Sequence, residues 1–170
     1  MVFEFDQAAL KNIIAAFEDR SKIEIGIPEG DSTLSTIAAA HEFGANIPVT
    51  DKMKGYFKGH FGFWLSKTAI NIPARSFIRK TVSQKAETFL GDINAGQDFI
   101  LLNMAEGAWL GQLEDFGRKW VGYIRQCFET SGFGQWQPLS ALTISDGGST
   151  PLIRTGKLMN AITSKVTSGQ

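Results

Sequence analysis

The chain has a single cysteine, Cys127, among 170 residues. No intrachain disulfide is possible, and a lone Cys at the end of an apolar pattern reads as a small buried hydrophobe. Histidine is almost as scarce: His41 and His60 are the whole supply. His41-Glu42 lacks the second His, four residues on, that a zinc His-Glu-x-x-His motif needs. His41 reads as a helix-end residue and His60 as a loop residue. Net charge is missing too, with Lys+Arg and Asp+Glu both at 17. That removes any general electrostatic reason to bind nucleic acid or an anionic membrane. No run approaches the ~18 apolar residues of a membrane-spanning helix, so no membrane partner is expected. Met1 to Asp6 lacks the basic start and long apolar stretch of a signal peptide, so a cytoplasmic chain is expected. Nucleotide and hydrolase motifs are absent as well. Gly156-Lys157 is followed by Leu158 rather than Ser or Thr, and no Gly-x-Ser-x-Gly elbow occurs. The chain therefore reads as a non-enzyme, with no catalytic residue, metal or cofactor expected.

What is present is ordinary for a globular chain: 43% hydrophobic and 20% charged residues. One domain over residues 1–170 is expected, long enough to bury a core. Leu10, Ile13, Ile14 and Phe17 fall on one helical stripe, with Asp6 as its cap. Ile23, Ile25 and Ile27 alternate, which predicts a half-buried strand ended by Pro28-Glu-Gly. Thr33 to Phe43 returns to helical spacing and stops at Gly44. Thr68 to Pro73 predicts a short strand, and Ser76 to Ile93 an amphipathic helix. Arg75, Arg79, Lys80 and Lys85 read as a solvated helix face. Phe99 to Phe128 is the longest helical pattern. Its Gly107, Gly111, Gly117 and Gly122 each cost about 1 kcal/mol of helix propensity, which implies close approach of another element or a break. Gly107 and Gly111 would share one face. The fold class is α+β: a small antiparallel or mixed sheet packed by one long and several shorter helices, with an extended loop and a C-terminal arm.

Two segments resist simple periodicity. Residues 45–74 read as an inserted interaction loop. A short helix capped by Thr50 or Asp51 would carry Met53, Tyr56 and Phe57, with Gly55, Gly59 and Gly62 interrupting it. Tyr56, Phe57, Phe61, Phe63 and Trp64 are too dense for one helical stripe. They suit either a protein-contact loop or a local mini-core. Residues 135–170 read as a strand or arm segment. Trp136 to Ile144 would be extended, Asp146-Gly-Gly-Ser a turn, and Leu158 to Val166 either helix or strand.

These segments carry a resemblance. Trp136, Pro138, Leu139 and Ser140, followed by Leu152, Ile153, Thr155, Gly156, Leu158 and Ile162, are similar to the closing pattern of bacteriophage tail-completion and head–tail joining proteins, the virion-morphogenesis family. Glu42-Phe43-Gly44, then Ile47-Pro48-Val49-Thr50 and Lys52-Met53-Lys54, then Ile72-Pro73-Ala74-Arg75-Ser76-Phe77, resemble the family's upstream signature in the same order. The match touches roughly half the chain. Lys54 departs from the usual Arg, and the polar turn at Asp146 from a usually basic loop. The resemblance implies a virion structural protein, assembled in the host cytoplasm, that forms a ring of six or twelve subunits at the neck or head-proximal tail end. It would complete the tail and join it to the head, touching other neck, connector and tail proteins. DNA contact would be incidental, in the ring lumen. A tube, terminator or baseplate component is the alternative, and a nucleic-acid-binding module a further one. The expected interface residues are Ile47, Val49, Met53, Tyr56, Phe57, Phe61, Phe63 and Trp64 in the first segment. Trp136, Leu139, Leu152 and Ile153 complete them in the second, although Trp136 and Pro138 also suit a cover over the core. Glu42, Gly44, Pro73, Arg75, Phe77 and Gly156 carry the structural signature. Arg75 suits either an internal clamp on a carboxylate or helix end, or a partner contact. Removing everything beyond Gln135 is expected to leave a soluble core that no longer assembles.

Overall fold

The computed structural model describes residues 6–168; the reading of Met1 to Phe5 lies outside them. Asp6 caps the first helix as expected, its carboxylate accepting from the backbone N–H groups of Ala8 and Ala9. The order is α1 (Gln7–Glu18), β1 (Lys22–Gly26), α2 (Ser32–Phe43), β2 (Ala45–Pro48), α3 (Asp51–Phe61), β3 (Ala69–Ile72), α4 (Ile78–Ala95), α5 (Gln97–Ala105), α6 (Trp109–Glu129), α7 (Ala141–Ser145), α8 (Lys157–Asn160) and β4 (Thr163–Thr167). The fold is α+β, with its strands in two antiparallel pairs, β1–β4 and β2–β3. Lys22 stands opposite Thr167 in the first pair, and Ala45 opposite Ile72 in the second.

The core sits between α6 and the β1–β4 pair. Val121, Ile124, Cys127 and Phe128 line the inner stripe of α6, and Phe77, Leu158 and Ile162 close over them. The Phe77 and Phe128 ring centroids lie 4.9 Å apart. Burial pushes the Cys127 thiol pKa up, as expected for an inert apolar filler. Gly117 explains how α6 comes so near the sheet. A Cβ there would meet Ser164 Oγ at 2.7 Å.

Several expectations change. The long pattern from Phe99 to Phe128 is two helices, broken at Gly107, whose φ of +76° suits glycine. Gly107 therefore shares no helical face with Gly111. Trp136 to Ile144 is not a strand: a bend at Trp136 and an irregular stretch lead into α7, capped by Ser140. Ala45 to Pro48, which had no assigned structure, is a strand. Of the two readings of Thr163 to Val166, the strand holds. Among the described residues β4 pairs with β1, and Leu158 and Ile162 are buried. The run beyond Gln135 is thus woven into the fold, and its removal would not leave the core intact.

Candidate assembly surface

Glu42 is 5% exposed, although its side chain is a carboxylate. α4 explains why. That helix starts at Ile78 with no side-chain cap of its own, and a helix start leaves backbone N–H groups without partners. Glu42, from the last turn of α2, supplies the missing acceptors. It receives hydrogen bonds from the N–H of Phe77 at 2.7 Å, Ile78 at 3.0 Å and Arg79 at 3.1 Å. Ser76 Oγ donates at 2.6 Å and Arg79 Nε at 3.1 Å. Burial alone would raise the Glu42 pKa, but these bonds outweigh it and hold the carboxyl below its ordinary range. A negative charge also favours the positive end of the α4 dipole.

Arg75 completes the brace. It is 7% exposed rather than part of a solvated face. Among the described residues its guanidinium holds no carboxylate. It donates to the backbone carbonyls of Gln137 at 3.1 Å and Pro138 at 3.1 Å. Its own N–H donates to His41 O at 2.7 Å. Trp136 Nε1 donates to Ser76 O at 3.2 Å, and its ring stands edge-on to Phe128. Gly44 has φ +78°, and a Cβ there would meet Ala74 N and Ile72 O at 3.1 Å each. So Glu-Phe-Gly, Pro-Ala-Arg-Ser-Phe and Trp-Gln-Pro, far apart in the chain, meet at one knot.

The knot is the base of a projection. β2 leaves it just after Gly44, and β3 returns to it just before Pro73. Between them Thr50 caps α3, its Oγ1 accepting from Met53 N, and Gly62 ends the helix in the left-handed conformation. α3 has 11 residues and buries none of them. Met53, Phe57 and Phe61 are half-buried, and the two rings form a mini-core with Phe63: Phe57 lies 5.4 Å from Phe61 and 5.9 Å from Phe63. Tyr56, Phe63, Trp64 and Ile47 stay exposed, Trp64 at 63%. The mini-core reading therefore holds for Phe57 and Phe61, while Tyr56 and Trp64 remain at the surface. Val49 is half-buried, its N–H bonded to Thr68 O at 2.8 Å.

A polar tether ties the helix to the C-terminal turn. His60 is in the last turn of α3, not a loop, and its Nε2 lies 3.0 Å from Asp146 Oδ1. Arg154 Nη1 reaches the other oxygen at 2.6 Å. His60 first, then Arg154, hold the Asp146 carboxyl below its ordinary range.

The second expected segment is placed differently. Trp136, Leu152 and Ile153 pack against their own subunit's core, and Leu139 is half-buried. Gly156 takes φ +67° immediately before α8, a backbone reason for its place in the pattern. Sequence reasoning missed another surface. Leu10, Ile14 and Phe17 share the helical stripe expected of them, but that stripe is exposed, Phe17 at 72%. α1 buries Ala16 instead, and Asn12 Nδ2 donates to Ala105 O of α5 at 2.8 Å. On α5, Phe99 and Leu102 are exposed as well. The run of apolar positions on α1, wider than one contact face needs, was the available signal.

Among the described residues no three His, Cys, Asp or Glu converge as a metal site. No helix there is long and apolar enough to cross a membrane. Compared with protein-family models, with curated proteins and with solved structures, the chain finds no match. The arrangement leaves aromatic and aliphatic side chains of α1, α3 and α5 exposed, the kind of surface that marks contact sites.

Proposed function

We propose that this protein is a structural subunit of a tailed bacteriophage virion. It closes into a ring at the neck or the head-proximal end of the tail, completes the tail and joins it to the head. The observation that carries the reading is α3, a helix with no buried residue and an exposed aromatic flank. Short helices are marginal in water without tertiary packing, so such a helix gains most from a partner. The brace supports the same reading. The motifs that resemble the virion-morphogenesis signature are the ones that anchor the projection. A rigid base holding an exposed tip is what a repeating assembly contact needs. The neighbours would be neck, connector and tail proteins.

A tube, terminator or baseplate subunit would use the same surface, and particle imaging separates these positions. One observation favours a nucleic-acid module: the projection carries Lys52, Lys54, Lys58 and Lys67 beside its aromatics. A steep salt dependence of DNA binding would support that reading, and no binding at low salt removes it.

Mass in solution and in the particle tests the main proposal. Light scattering and negative-stain images are expected to show closed rings, alone or on tail tubes. A persistent monomer that is absent from purified virions sinks it.

A further inference from the structure

Charge and apolarity on two separate faces of this molecule complement each other. The first face is the projection. Lys52, Lys54, Lys58 and Lys67 stand there against one acid, Asp51. Asp51 pairs with Lys54 at 2.9 Å, and among the described residues the other lysines of this segment form no salt bridge. The same segment exposes Tyr56, Phe63 and Trp64. On α3 a Cβ at Gly55 or Gly59 would meet nothing within 4 Å. These glycines are one turn apart, so an outside helix can come close to the α3 backbone.

The second face is the α1–α5 pair. Asp6, Glu18, Asp98 and Glu106 lie on or beside its two helices, against Lys11 within α1 and Arg20 just beyond it. Leu10, Ile14 and Phe17 run along α1 at helical spacing, exposed by 43%, 48% and 72%. Phe99 and Leu102 add 62% and 51% exposure on α5. α3 makes no substantial packing with α1 or α5 of its own chain. The basic patch would repel a second copy of itself, so a symmetric pairing of projections is disfavoured.

We propose that the basic, aromatic projection of one copy docks on the acidic, apolar α1–α5 face of the next, head to tail. The proposal rests on the ring reading above and names the surfaces that would close it. A contact between two different patches repeats from copy to copy, and closes when the rotation allows. Apolar anchors supply the affinity, and the flanking charges select the partner and its register.

The test uses the full chain and three variants. Tyr56→Ala/Lys58→Glu/Trp64→Ala removes the projection's side of the contact. Ile14→Asp/Phe17→Asp removes the receiving side, and Glu18→Lys/Asp98→Lys does so by charge alone, in case the first disturbs α1. Circular dichroism and melting temperature confirm folding. Each variant alone is expected to weaken self-association by about tenfold or more in sedimentation at low salt. Mixing a projection variant with a receiving-face variant is expected to give a one-to-one dimer, because one intact patch of each kind remains. Variants that assemble like the wild type overturn the contact while leaving the ring reading standing. So does a mixture that forms no dimer. So does a projection variant that loses binding to a DNA oligonucleotide or anionic vesicle while its assembly is unchanged. A wild-type chain monomeric at every concentration also overturns the contact; the ring reading falls with it only if purified virions lack the protein.

Discussion

α6 and α3 are both helices, yet they are held by different means. α6 runs 21 residues and buries seven of them, among them Leu113, Ile124 and Phe128. α3 runs 11 residues and buries none. The first is fixed by the hydrophobic core, so its side chains answer to the rest of this subunit. The second is fixed by its Thr50 cap, its Gly62 stop, a small aromatic cluster and the His60–Asp146 tether. Its outer side chains, Tyr56 among them, touch only neighbours within the same segment among the described residues. A protein can thus concentrate stability in one region and keep a second available for docking, provided the join between them is rigid. The Glu42–Arg75 knot is that join.

The contrast is most strongly tested by truncation. Ending the chain at Gln135 removes β4, Leu158 and Ile162 from the α6 side, and no cooperative thermal transition is expected to remain. A well-folded truncated protein would mean that α6 does not depend on the C-terminal run. Next in size is Glu42→Ala, expected to cost about 3–5 kcal/mol in denaturant unfolding, because it leaves helix-end donors buried and unpaired. A cost under about 1 kcal/mol would show that water replaces the carboxylate.

The same group carries a pH dependence. Its folded pKa lies below the ordinary 4.5. Its contribution is therefore complete above about pH 4.5 and is lost as pH falls through the lower folded value. Acid titration of stability should show a steeper loss below that pH in the wild type than in Glu42→Gln. Parallel curves would place the acid sensitivity elsewhere. On α6, Gly117→Ala should cost about 1–3 kcal/mol by pushing the helix off Ser164. Gly122→Ala, with open space around it, should raise stability by up to about 1 kcal/mol. The smallest effect belongs to α3: Tyr56→Ala/Trp64→Ala should move unfolding by under about 0.5 kcal/mol per site. Assembly, measured beside it, should be lost. A large stability change there would erase the contrast between the two helices.

Local chemistry was legible wherever a few neighbouring residues decide the outcome. Asp6, and Thr50 or Asp51, read as caps because a short oxygen side chain reaches N–H groups two or three residues on; the structure uses Thr50. Ile23 and Ile25 read as a strand because alternation survives without knowledge of its partner. The α+β class follows from the order of such elements. The resemblance motifs were legible as motifs, but not as a knot. Glu42 has nothing in its neighbourhood to say that it caps a helix beginning at Ile78. Nor does Arg75 announce carbonyl partners at Gln137 and Pro138.

Sequence by itself therefore determined most element positions, the lack of a disulfide, and the two candidate segments. Tertiary structure decided which segment is core and which is surface. It put Trp136, Leu152 and Ile153 on their own subunit, and left Phe17, Tyr56 and Trp64 exposed. The reason is physical. Periodicity reports which side chains share a face, whereas burial depends on what the rest of the chain lays against that face.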